Sequence, residues 1–195
     1  MVTGGGIEEK SMHKDPKTVL SAFVFTMAIL ALGYISFGPW TMLVFTSGFL
    51  GGFILWLIMP TNVSFATIKI PYTAAFILFA LHRVEEKVMD FFATLSSITG
   101  VPTPEIVSPQ IILLIAVSVG AWLLIPYLMN RGYQLGTYFA WTFFAALGIT
   151  ELAHFLVFPL FTGEPYGYFP GMASVILLAP VAWWGMWRLS RNNHA

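Results

Sequence analysis

The sequence predicts an all-α fold: a polytopic membrane bundle of six transmembrane helices with both termini cytoplasmic. Three observations predict it. Hydrophobic residues make up 57% of the 195-residue chain and charged residues only 9%. Apolar stretches of spanning length follow one another along it. The Lys and Arg residues between those stretches gather on alternate connections. A soluble domain carries about a quarter charged residues, so most of this surface must meet a solvent other than water.

Residues 1–18, MVTGGGIEEKSMHKDPKT, form a polar, glycine-rich cytoplasmic segment. The apolar run after it is too long for a cleaved signal and leads into further apolar segments, so it reads as an uncleaved first span. The membrane domain extends over 19–190, leaving 191–195 as a short cytoplasmic tail. Spans are expected at about 19–37, 41–60, 109–129, 136–161 and 169–189, each near the ~20 residues a helix needs to cross hydrocarbon. A sixth, at about 70–95, is interrupted by charge. Its crossing is argued from the loops. If it crosses, Lys10, Lys14, Lys17, Lys69, Arg131, Arg188 and Arg191 share one side, and loops 38–40, 97–108 and 162–168 contain neither Lys nor Arg. That is a positive-inside pattern, the orientation of a plasma (inner) membrane protein.

Gly48 and Gly52, in SGFLGG, provide a small-residue face for close helix packing. Trp40, Tyr127, Tyr138, Trp141, Trp184 and Trp187 lie towards span ends, as interfacial aromatics do. The chain has no cysteine, which excludes disulfides, thiolate ligands and a cysteine nucleophile. Balanced charge without a basic stripe argues against nucleic acid as a partner. The bilayer is the expected partner, with room for a hydrophobic small molecule and for homo- or hetero-oligomers.

The interrupted span holds LHRVEEKVMD, in which five of the chain's 18 charged residues fall within eight positions beside one of four histidines. On a helix, His82, Glu85, Glu86 and Asp90 share one half-cylinder, with Arg83 and Lys87 towards its flank. Ionisable groups facing lipid cost roughly 3 kcal/mol each, so this face must look into the bundle or into a water-filled cavity. The later span holds Glu151 and His154, three apart and on one face. Both sets lie about 20–27 Å along parallel helices at 1.5 Å per residue, so they are expected to meet as one buried site.

Two imidazoles and three carboxylates suggest two chemistries. His82, Glu86 and His154 can ligate a divalent metal such as zinc or iron. Glu85 or Glu151 is then free to act as a base. The corresponding expectation is a metal-dependent hydrolase, isomerase or oxidoreductase, or an acid/base enzyme, acting on a lipid-soluble small molecule. The alternatives are a proton- or cation-coupled transporter or channel component, and a small structural subunit of a membrane complex. Arg83, Lys87 and Asp90 are expected to form structural ion pairs.

LHRVEEKVMDF resembles the signature of the HXXEE family of membrane proteins. ELAHFLVFPLF followed by YFPGMASVILLAP is similar to that family's second region, where a helical histidine precedes a Pro-Gly turn that opens the last helix. His82, Glu85, Glu86, His154, Pro170 and Gly171 correspond, over about residues 70–190. Glu151 stands where the family pattern has a neutral polar residue. The resemblance implies a bacterial-type polytopic membrane protein and brings no established activity with it.

Overall fold

The computed structural model describes residues 14–59, 63–103, 105 and 108–191; Lys10 and the tail beyond Arg191 lie outside them. Among the described residues there is helix and no strand. Five helices among these residues are long and apolar enough to cross a membrane: Pro16–Ile58, Phe65–Val88, Pro109–Asn130, Gln134–Phe161 and Met172–Ser190.

The first of these, α1 (Pro16–Ile58), is a hairpin. Asp15 caps its start by accepting from the Thr18 N–H at 2.9 Å, and Pro16 occupies the first turn, where its missing N–H costs nothing. At Gly38 the backbone turns through φ 79° and ψ −177°. Glycine enters that region freely, and Pro39 cannot donate the next helical hydrogen bond. The two arms therefore fold against each other. Phe23 and Phe53 bring their rings to 6.1 Å, whereas a straight helix would hold them about 45 Å apart. At the open end, the Lys14 ammonium donates to the Met59 carbonyl at 2.7 Å and sits over the Trp56 ring.

Helix α2 (Phe65–Val88) stops sooner than 95. Asp90 adopts a left-handed conformation, φ 53°, and a separate short helix, α3 (Phe91–Thr99), follows it. The kink takes Asp90 out of the helical face on which it was expected and leaves it exposed. Helices α4 (Pro109–Leu123) and α5 (Ile125–Asn130) form one bent rod, with Pro126 at the bend. The chain then enters α6 (Gln134–Gly148), the centre of the bundle. Every residue from Gly136 to Gly148 is buried, as expected of a helix that is apolar all round. Around it stand α1, α2, α4, α5 and the last helix, α8 (Met172–Ser190). Gly48 and Gly52 lie directly against the α6 backbone at Ala146 and Thr142, so the small face serves packing.

Two aromatics expected at the interface are instead in the core. Tyr138 and Trp141 are buried, and the Tyr138 hydroxyl pairs with Thr26 at 2.7 Å. Trp40, Tyr127, Trp184 and Trp187 are exposed.

After α6, the expected span 136–161 is broken. A 3-10 turn (Thr150–Leu152), the single-turn α7 (Ala153–Leu156) and a second 3-10 turn (Phe158–Phe161) replace a continuous helix. The Gly148 carbonyl, which would accept from Leu152 in an α-helix, accepts from the Trp183 indole at 2.6 Å instead. The Leu152 N–H turns to Ile149, and Pro159 prevents regular helix from resuming through it. One end of the bundle gathers Lys14 with Met59, Asp15 with Gln134, and Arg188 with the Thr67 carbonyl. The broken stretch, the end of α2 and the start of α8 meet at the other end.

Candidate metal centre

Four groups converge there: His82 and Glu86 from α2, Glu151 from the 3-10 turn, and His154 from α7. One ligating atom from each lies within 4.8 Å of all the others. His82, Glu86 and His154 are 0%, 3% and 2% exposed, and Glu151 is 12% exposed. The four atoms alternate in kind around a ring. His82 Nε2 is 3.4 Å from Glu86 Oε1 and 3.2 Å from Glu151 Oε2. His154 Nε2 stands at the same 3.4 and 3.2 Å from the same two oxygens. Ligands about 2.0–2.1 Å from a tetrahedral zinc lie about 3.3–3.4 Å from each other. The edges of the ring match that spacing.

The far side of each imidazole is committed. His154 Nδ1 is 2.5 Å from the Pro170 carbonyl, which can only accept, so Nδ1 carries the proton. His82 Nδ1 is 2.8 Å from Ser174 Oγ, whose own proton goes to the Gly171 carbonyl at 3.2 Å. That network assigns a proton to His82 Nδ1 as well. Both Nε2 atoms are then left with bare lone pairs facing two carboxylate oxygens. Such a ring is repulsive unless positive charge sits within it, either as a cation or as a second proton on each imidazole. Metal-bound histidines are held by this kind of outer hydrogen bond.

Both rings rest on Gly171. A Cβ there would lie 2.5 Å from His154 Nδ1 and 2.8 Å from His82 Cε1, and the residue's φ is +97°. The two rings meet edge to face, and Phe91, Phe158 and Phe169 surround that of His154. This aromatic wall keeps bulk water from the cluster's far side.

Arg83 was expected to make a structural ion pair within its own helix. It does pair with Glu86, Nη1 to Oε2 at 2.8 Å, but it also spans to Glu151, Nη2 to Oε1 at 2.8 Å. Each carboxylate thus turns one oxygen to the imidazoles and the other to a single guanidinium. Lys87 and Asp90 have no side-chain bond of this kind among the described residues.

Glu85 was expected to serve as a base, as was Glu151. The two occupy different surroundings. Glu151 is one of the four converging groups. Glu85 turns the other way and caps α8, accepting from the Ser174 N–H at 2.8 Å, the Ala173 N–H at 3.0 Å and the Tyr168 hydroxyl. Burial, and then this bond to a carboxylate, push the Tyr168 phenol up to about 12. The two adjacent glutamates diverge because they lie on opposite flanks of His82 around α2.

Sequence reasoning missed Arg83, Ser174 and the Tyr168 hydroxyl as members of this network. The only signal for Arg83 was its position as the basic residue beside the histidine; nothing marked Ser174. No protein-family model, curated protein or solved structure matches the chain.

Proposed function

We propose that this chain is an enzyme of the plasma (inner) membrane that holds one divalent cation between His82, Glu86, Glu151 and His154 and applies it to a lipid-soluble small molecule. The observation that carries this reading is the ring of alternating imidazole nitrogens and carboxylate oxygens with edges of 3.2–3.4 Å. Two nitrogen and two oxygen donors without a thiolate suit Zn²⁺ or Fe²⁺ better than Mg²⁺ or Ca²⁺. The cation supplies Lewis acidity towards a carbonyl or phosphoryl oxygen. Glu151, the most exposed of the four groups, would be the carboxylate best placed to accept a proton beside a bound ion. We assign Glu85 to holding α8, because its oxygens are already engaged.

Six crossings, with both termini cytoplasmic, are part of the same proposal. The hairpin of α1 supplies two arms of spanning length. Lys14, Arg188 and their partners gather at the end opposite the site, which supports a site opening towards the outer leaflet. Single cysteines introduced at Lys69 and Glu164 test this in a chain with none of its own. A membrane-impermeant maleimide should label the second and spare the first in intact cells.

Elemental analysis of detergent-purified protein tests the metal. One equivalent in the wild type and none in His82→Ala is expected. No stoichiometric metal in either would leave the second reading, in which the two extra imidazole protons supply the positive charge and the chemistry is acid/base. A transport role is less well supported. The length of α6 between the cluster and the opposite end is buried, filled by Phe143, Phe144 and Trp141, and offers hydroxyls from Thr137, Tyr138 and Thr142 but no carboxylate, imidazole or cation.

A further inference from the structure

We propose that the metal-loaded site takes a monoanionic lipid head group, held by Arg83 and Lys87 on the exposed face of α2, with the lipid's chain lying along Ala80, Phe79 and Phe76. The inference rests on the ion proposed above and goes on to name the class of ligand.

The charge of the cluster comes first. Glu86 and Glu151 against Arg83 give a formal −1 with neutral imidazoles, and a divalent cation turns this to +1. An uncompensated charge at this depth is costly. A single negative charge brought by a ligand offsets it, whereas a neutral ligand does not.

Donor capacity comes second. A guanidinium has five N–H donors, and Arg83 uses two of them on Glu86 and Glu151. The other three have no partner among the described residues, and the side chain is 42% exposed. A planar fork of free donors fits an oxyanion.

The shape of the face comes third. Phe76, Phe79 and Ala80 precede Arg83 on the same side of α2 and are partly or wholly exposed; Lys87 follows one turn later and is exposed and unpaired. Arg83 itself lies over the Phe79 ring, 5.1 Å from its centre. The order along the helix is therefore apolar track, cation beside the ion, second cation towards the aqueous boundary. A single-chain anionic lipid has that order of groups, with its head at the two cations and its tail on the aromatics.

The test uses the full chain in detergent micelles, first confirmed to carry zinc, with oleate as probe and oleyl alcohol and acetate as comparison arms. Zinc loading should raise oleate affinity about tenfold or more over the metal-free protein. Lys87→Ala, which touches none of the four converging groups, should cost about three- to fivefold with zinc content unchanged. Arg83→Lys should cost more, and Arg83→Ala should abolish the gain from zinc. Oleyl alcohol binding as tightly as oleate would overturn the proposal. So would oleate affinity indifferent to both zinc and Lys87→Ala. Acetate competing at the same concentration as oleate would move the ligand to a free anion and likewise overturn it. Failure to load zinc at all would instead count against the metal reading on which it rests.

Discussion

The imidazoles of His82 and His154 meet edge to face, their ring centres 4.9 Å apart and their planes at 87°, although 72 positions separate them in the chain. Each turns its Nε2 to the same pair of carboxylate oxygens and its Nδ1 to the loop and first turn that begin α8. The cluster is therefore made by three segments, and its properties follow from how each holds the others.

Gly171→Ala should damage the site more than its size suggests. The added methyl meets both imidazoles, and the positive φ disfavours any L side chain. A loss of about 2–4 kcal/mol is expected from backbone strain and displaced rings together. Thermal unfolding in detergent and metal content should fall together; an unchanged melting temperature would mean that the rings do not rest there.

Ser174→Ala removes the acceptor for His82 Nδ1–H while leaving all four converging side chains in the chain. Outer hydrogen bonds of this kind are worth about 10–100-fold in metal affinity. Competition with a chromogenic chelator should reveal a loss of that order while circular dichroism stays unchanged.

Glu85→Ala should act on stability and not on the ion. It removes the cap from the first turn of α8 and strands the Ala173 and Ser174 N–H groups. A loss of about 1–2 kcal/mol is expected, with zinc stoichiometry retained. Loss of metal at full stability would move Glu85 into the site.

Lys14 provides a pH dependence. Burial lowers its ammonium to about 8. Between that value and the 10.5 of an unperturbed lysine, the unfolded chain binds more protons than the folded one, so stability should rise with pH across this window. Lys14→Met should flatten that rise. A chemical-denaturation series from pH 7.5 to 10.5 measures both slopes, and equal slopes would contradict the assignment.

Much of the site was legible because burial of charge in an apolar chain admits few solutions. His82, Glu86, Glu151 and His154 could be placed at equal depth from helix rise alone, and the structure brings one atom of each within 4.8 Å. What separates Glu85 from Glu86 was not legible. They differ by about 100° around α2, and only the position of α8 decides which one faces the imidazoles. Arg83 was obscured in a similar way. A local ion pair is the expectation for a charge beside two glutamates, and its second partner lies 68 residues away. The break after Gly148 was hidden because TELAHFLVF carries helix-compatible residues throughout. A tryptophan from α8 captures the carbonyl that would have continued the helix.

The capping of both imidazoles and of Glu85 by the start of α8 has a consequence for biosynthesis. That helix emerges from the ribosome after the segments it caps, so every earlier stage leaves acids and imidazoles without those partners. A chain truncated before Pro170 would display them to quality-control proteases, while one that extends through α8 conceals them at the moment that helix docks.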